Sequence, residues 1–179
     1  MHDRVNQNLI IKSTIGNNVI ISGYASVFNV ADQHNDIILE SAFLPIKNTQ
    51  NVKFLWQHDF SKPIGIIQSV LEDNYGLKIE AAINSKIEVG KEAIELIRQG
   101  AVDGVSVGFN IETSNYNSLN QRVITKAKLM EVSVVTFPAN FHAKIYHIDN
   151  ENIDNWPLEN LKASILNLER LVTKFRKRR

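Results

Sequence analysis

Apolar and polar residues alternate along much of the first half of the chain, a pattern typical of β-strands that bury one face. We expect a first hairpin from LIIKSTI and NVIISGYASVF, which flank the turn residues 16–18. A short apolar run at 52–57 predicts a strand that leads into His58. The chain therefore begins as a strand-rich domain.

Two further segments of alternating character, 64–71 and 77–83, lie on either side of the polar, glycine-containing stretch 72–76. This arrangement predicts a second hairpin. The period then changes. Over 87–97 the apolar residues fall on one side of a helix, and Gly100 is placed to end it.

Strands return at 102–111 and 128–137. The intervening stretch 112–120 is rich in Asn and Ser and predicts a surface loop. Pro138 is expected to end the last core strand, since proline cannot donate to a strand ladder. The predicted fold class is mainly β with a few helices (α+β), with about six or seven mostly antiparallel strands.

The tail of the chain has another pattern. Asn155-Trp156-Pro157 is typical of a helix start. Apolar residues then recur at spacings of three and four from Leu158 to Phe175, which predicts an amphipathic helix of about five turns. We therefore divide the chain into a main domain, 1–150, and a C-terminal basic amphipathic helix, 151–179, which docks on a partner or packs on the main domain.

Composition narrows the function classes. The chain has 179 residues, of which 44% are hydrophobic and 22% charged, and its net charge is +1. These values are typical of a folded domain rather than a disordered or nucleic-acid-binding one. The last six residues, 174–179, nevertheless carry five cations, which a solvated helix end also explains. There is no cysteine, which excludes disulfides, thiolate metal sites and a cysteine nucleophile.

Three residues supply the groups needed for acyl transfer: Ser106 in DGVSVGF, His58 in LWQHDF and Glu131 in LMEVSVV. A hydroxyl nucleophile, an imidazole base and a carboxylate that orients the base form a catalytic triad. Each residue also has a non-catalytic interpretation: an ordinary strand serine, a surface histidine beside an acid, and an exposed edge-strand glutamate. Asp59 is an alternative partner for His58, and Ser133 is the second choice of nucleophile.

The sequence around these residues resembles the prohead (procapsid maturation) serine proteases of tailed phages. The resemblance covers 23–143 through GYASVFNVADQHNDIILESAF, FLWQHDFSKPIGIIQSVLEDNYGLKIEAAI, GAVDGVSVGFNI and KLMEVSVVTFPANFHAKI. Two positions depart from the pattern at turns. Ser41 stands where the family usually has the Gly of Pro-Gly-Ala-Phe, and Asn35 stands where Gly usually precedes Asp36.

The resemblance implies an assemblin-like β-barrel and a Ser106–His58–Glu131 triad, with the amides of Ala139 and Asn140 as an oxyanion hole. It implies no metal or cofactor. The implied substrates are the scaffolding segment of the major capsid protein and the protease itself, with a homo-oligomer possible. The implied location is the immature capsid in the host cytoplasm, with no membrane or nucleic-acid partner.

Three other readings stay open at this point. The chain could be a non-catalytic capsid-assembly or scaffold protein that keeps the fold. It could be another hydrolase such as an esterase, although the G-x-S-x-G elbow is missing. His34, Asp36 and Glu40 could suggest a metal site, but their spacing fits no standard zinc pattern and a solvated loop is expected.

Overall fold

The computed structural model describes residues 18–46 and 48–148. This part of the chain is mainly β, with one α-helix and a short 3₁₀ helix at Thr49–Asn51. The strands are β1 (Asn18–Val27), β2 (Asp36–Ile38), β3 (Lys53–Trp56), β4 (Asp59–Glu72), β5 (Gly76–Asn84), β6 (Gly104–Tyr116), β7 (Arg122–Val135) and β8 (Ile145–Ile148), and the helix is α1 (Glu88–Arg98).

All eight of these strands belong to one sheet in the order β2-β7-β3-β4-β5-β1-β8, with β6 on the other side of β7. Most neighbours are antiparallel, while β2 and β3 run parallel to β7. The sheet curls into a half-barrel. The segment 143–145 joins β1 to β6 through backbone hydrogen bonds. The Tyr24 N–H donates to the Lys144 carbonyl at 3.0 Å, and the Val105 N–H donates to the Ala143 carbonyl at 3.0 Å.

The core lies inside this curl, where the central strands contribute one alternating face. Phe54 on β3 and Val132 and Val134 on β7 are almost completely buried. Each such side chain contributes about 1.5–3 kcal/mol of transfer free energy. Burial of this face fixes the register of β3 and β7 and presents the alternate residues of β7 on the opposite face.

The structure confirms several predicted elements. The apolar run 52–57 forms β3, the hairpin predicted around 72–76 is β4–β5, and the one-sided helix is α1. Gly100 follows α1 with φ of 70°, the left-handed conformation expected of a glycine that ends a helix. The first predicted strand, 9–15, and the C-terminal helix lie outside the described residues.

The prediction of a surface loop at 112–120 is wrong. β6 continues to Tyr116 and β7 begins at Arg122, so that only a short turn separates them. The Asn117 carboxamide holds this turn by accepting hydrogen bonds from the N–H groups of Leu119 and Gln121 at 3.0 and 2.9 Å. The strand extension is polar because much of it is exposed, and an exposed ribbon needs no apolar alternation.

Candidate active site

Three neighbouring strands carry the residues that the sequence singled out. Ser106 on β6 is paired with Ser133 on β7, and Gly108 is paired with Glu131. On the other side of β7, the end of β3 runs parallel to it and leads directly into His58. The topology therefore brings together residues that are far apart in the sequence.

His58 lies in a two-residue turn between β3 and β4. Trp56 and Asp59 are paired, and both turn residues are left-handed, with φ of 54° at Gln57 and 57° at His58. Positive φ at both central positions is the type I′ pattern, which normally favours Asn-Gly. The Gln57 carboxamide fastens the turn to β7, since it donates to the Thr136 hydroxyl at 2.9 Å and accepts from the Thr136 N–H at 3.2 Å.

The His58 ring meets the Glu131 carboxylate. Nδ1 of His58 lies 2.6 Å from Oε1 of Glu131. Because a carboxylate only accepts, the Nδ1–H donates in this hydrogen bond, which leaves Nε2 of the neutral ring as an acceptor. Glu131 is 3% exposed, so its charge depends on such partners, whereas the His58 side chain is 44% exposed.

Ser133 completes a ring of hydrogen bonds around the same carboxylate. Its hydroxyl donates to Oε2 of Glu131 at 2.7 Å and accepts from the backbone N–H of His58 at 3.2 Å. Ser133 is fully buried. It was the second choice of nucleophile from the sequence, but its hydroxyl proton is committed to Glu131. Its position two residues after Glu131 on one strand is the sequence signal for this contact.

Gly108 makes room for the carboxylate. A Cβ atom on this residue would lie 2.9 Å from Cδ and Cγ of Glu131 and closer still to Oε1. The Glu131 carboxylate therefore occupies the space beside the backbone of β6 that a side chain at position 108 would fill.

Ser106 lies beside this pair. It is 5% exposed, and Val105 on the same strand points into the core. Ser106 and His58 both line a cavity of about 140 Å³, together with Ala139 and Asn140. The cavity is thus bounded by a hydroxyl, an imidazole and the turn that follows β7.

The contacts that hold this turn do not use the backbone N–H groups of Ala139 and Asn140. The Gln33 N–H donates to the Ala139 carbonyl at 3.0 Å, and the Asn140 carboxamide donates to the Val27 carbonyl at 2.9 Å. Within residues 18–46 and 48–148, no acceptor takes the N–H of Ala139 or Asn140. These two backbone N–H groups are therefore without an acceptor among the described residues, and both residues line the cavity.

The other acids near His58 have different partners. Asp59 accepts from the Ser61 hydroxyl at 2.6 Å and from its N–H at 2.9 Å, which lowers the pKa of Asp59. Asp36 binds the Arg122 guanidinium through two hydrogen bonds, of 2.7 and 2.5 Å, which raises the pKa of Arg122.

The suggested cluster of His34, Asp36 and Glu40 does not come together as a metal site. Asp36 is buried and bound to Arg122, and the other two residues are exposed. The part of the chain that the structure describes contains no group of three or more His, Asp or Glu side chains placed to hold a metal ion. It also contains no helix long and apolar enough to cross a membrane.

Comparison with known proteins gives a consistent family. The profile of the family described as caudovirus prohead serine protease matches residues 7–158. The prohead protease of Enterobacteria phage HK97 is 30% identical over 173 residues, which cover 90% of this chain and 77% of that protein. The prohead protease of Escherichia phage T5 is 30% identical over 127 residues, 68% of this chain and 59% of that protein.

Solved structures agree on the fold. A herpesvirus protease, that of KSHV, superposes with a TM-score of 0.54 at 14% identity and covers 75% of this chain and 66% of its own. The capsid assembly protease of bacteriophage T4 superposes with a TM-score of 0.50 at 16% identity, covering 65% of this chain and 80% of its own. At such identities the likeness concerns the fold alone, and it confirms the assemblin-like architecture.

Proposed function

The chain belongs to the family of caudovirus prohead serine proteases, and from this premise we propose that it is a serine endopeptidase with Ser106 as nucleophile, His58 as general base and Glu131 as the acid that orients His58. The observation that carries the assignment is the 2.6 Å hydrogen bond between Nδ1 of His58 and Oε1 of Glu131, beside the cavity that Ser106 lines.

The proposed reaction follows from this arrangement. The Ser106 hydroxyl attacks the scissile carbonyl and transfers its proton to Nε2 of His58, which later gives it to the leaving amine. The Nδ1–H bond to Glu131 keeps the proton on the far side of the ring and stabilises the imidazolium. Ser133 supports this step because it fixes the second carboxylate oxygen and the backbone of His58.

The amides of Ala139 and Asn140 are the proposed oxyanion hole. They border the same cavity, and no protein acceptor among the described residues takes their protons. Backbone donors held by the surrounding turn need no reorganisation when negative charge forms on the substrate oxygen. One such donor is worth about 3 kcal/mol in the transition state.

The proposed substrates are the scaffolding segment of the major capsid protein and the protease itself, inside an immature capsid in the host cytoplasm. The names of the HK97 and T5 relatives support action in the prohead. A protein named capsid polyprotein, from Pseudomonas phage PAJU2, is 29% identical over 154 residues, which are 22% of its length. These relatives do not favour the alternative of a non-catalytic scaffold protein.

Co-expression with the cognate major capsid protein, followed by intact-mass analysis, tests the proposal. The wild-type chain should shorten the capsid protein, and Ser106→Ala should reduce cleavage by several powers of ten. Ser133→Ala should reduce it by only about 10–100-fold, since it removes one hydrogen bond to a charged group. Ser114→Ala changes another serine of β6, the strand of Ser106. It is the matched control and should cleave normally.

The two serine variants separate the candidates for nucleophile. Full cleavage by a folded Ser106→Ala protein, together with loss of cleavage in Ser133→Ala, would mean that Ser133 is the nucleophile. Normal cleavage by both variants would remove the proposed site altogether.

A further inference from the structure

Ser26 presents a buried polar group that the proposed chemistry does not use. The residue is 1% exposed, and its Oγ has no hydrogen-bond partner among the described residues. Buried hydroxyl groups are normally paired, so an unpaired one needs an explanation. Ser26 lines the same cavity as Ser106 and His58.

A β-bulge places Ser26 there. In the pairing of β1 with β5, Tyr24 faces Lys78 and Ser26 faces Leu77, so Ala25 is an extra residue. The bulge breaks the alternation of the strand, and both Ala25 and Ser26 are buried and line the cavity. Bulges beside active sites commonly redirect a side chain in this way.

The remaining lining determines which side chain fits. The apolar part includes Val30, Ile38 and Phe109, and the volume of about 140 Å³ suits a single side chain. The polar part is rich in acceptors. Asp32 accepts backbone N–H groups through Oδ1, and none of the described residues donates to its Oδ2.

Charge in the cavity has one dominant sign. Asp32 and Asp36 both line it, and Asp36 is already neutralised by Arg122. No Lys or Arg side chain lines the cavity, and its two imidazoles are those of His34 and of His58, the proposed base. An acidic side chain would therefore meet the Asp32 carboxylate with no Lys or Arg beside it, whereas a hydrogen-bond donor would find acceptors.

We propose that Ser26 is a specificity residue, whose hydroxyl accepts a hydrogen bond from the substrate side chain next to the scissile bond, and that this side chain is a hydrogen-bond donor and not acidic. The inference rests on the proposed function, since the cavity is a subsite only if Ser106 is the nucleophile. Oγ is itself buried, so this hydrogen bond requires Ser26 to turn to another of its staggered rotamers when the substrate side chain binds.

Cleavage profiling of a peptide library by mass spectrometry, with the wild-type chain and Ser26→Ala, tests this proposal. The profile identifies the preferred residue next to the scissile bond, and kcat/KM is then measured for two peptides that differ only there. One carries glutamine, a donor, and the other carries methionine, which is similar in size and cannot donate. Ser22→Ala, on β1 but outside the cavity lining, is the matched control.

The wild-type chain and Ser22→Ala should prefer the glutamine peptide by about tenfold and reject glutamate. Ser26→Ala should lose about three- to tenfold in kcat/KM on the glutamine peptide and keep its rate on the methionine peptide. An unchanged preference in folded Ser26→Ala, or an equal loss on both peptides, would overturn the assignment of Ser26. Cleavage by Ser106→Ala would instead overturn the proposed function on which the inference rests.

Discussion

Gly108 determines whether the Glu131 carboxylate can reach His58. The carboxylate lies so close to the backbone of Gly108 that a Cβ atom on this residue would overlap it. Oε1, the oxygen that would be displaced most, is the atom that binds Nδ1 of His58. Glycine is therefore required here for the position of a side chain on the neighbouring strand, and its conformational freedom is secondary.

We expect Gly108→Ala to lower kcat by about 10²-fold while the fold is kept, because a misplacement of about 1 Å in a catalytic group costs this much. The measurement is steady-state cleavage of a peptide, with circular dichroism to check the fold.

A double-mutant cycle with Glu131→Gln shows whether the effect of Gly108→Ala passes through the carboxylate. Glu131→Gln alone should be less damaging than loss of Ser106. If Gly108→Ala acts by displacing the carboxylate, adding it to Glu131→Gln should cost far less than 10²-fold, since coupled effects are not additive. Full additivity of the two changes would contradict this account.

At the scale of the elements, two further tight turns use left-handed residues that are not glycine, as the turn at Gln57 and His58 does. Asn35 has φ of 62° and Ser41 has φ of 68°. These are the positions at which the resemblance to phage proteases led us to expect glycine. The turns keep the geometry that glycine would supply, and the Ser41 N–H is held by the Glu72 carboxylate at 2.7 Å.

Ser41→Gly should stabilise the protein by about 0.5–1 kcal/mol. The left-handed conformation costs an L-residue about 1–2 kcal/mol, and glycine removes this strain. The greater conformational freedom of glycine in the unfolded chain opposes the gain by about 0.5–1 kcal/mol. Asn35→Gly should gain less, since asparagine tolerates this conformation. Urea unfolding measures both changes, with Ser41→Ala as the control that keeps the strain; destabilisation by Ser41→Gly would contradict the interpretation.

Elements with a clear period could be predicted from the sequence, and their long-range pairing could not. The run before His58 and the amphipathic α1 each carry a local signal that the fold leaves intact. The polar end of β6 lacks such a signal because an exposed ribbon needs no alternation. The parallel pairing of β3 with β7 brings Lys53 level with Glu131, and no local pattern encodes it.

The candidate site shows the same division. His58, Ser106 and Glu131 were identified by the surrounding sequence blocks, and the contact of His58 with Glu131 is seen in the structure. The contact of Ser133 with Glu131 follows from their spacing of two on β7. Its contact with the His58 N–H depends on the pairing of β3 with β7, and the position of the unpaired Ser26 hydroxyl depends on a bulge. The last two features follow from tertiary geometry, which hydrophobic periodicity does not record.

At the scale of the whole molecule, the site depends on the complete sheet. Its residues come from the turn after β3, from β6 and β7, and from the turn after β7, and the bulged end of β1 also lines the cavity. The segment 143–145 ties β1 to β6 through backbone hydrogen bonds. Every residue of the proposed site lies within 26–140, so peptide-bond chemistry should require nothing beyond the main domain.

Deletion of residues 155–179 tests this last inference. From its amphipathic pattern and its five terminal cations we predict that the tail docks on a partner, either the scaffolding segment or a second protease copy. The truncated chain should keep its melting temperature and its rate on peptides but fail to enter procapsids. A variant with glutamine at the five cationic positions of 174–179 separates charge from apolar contact. A large fall in melting temperature on deletion would instead show that the apolar stripe stabilises the main domain, and normal incorporation would contradict docking.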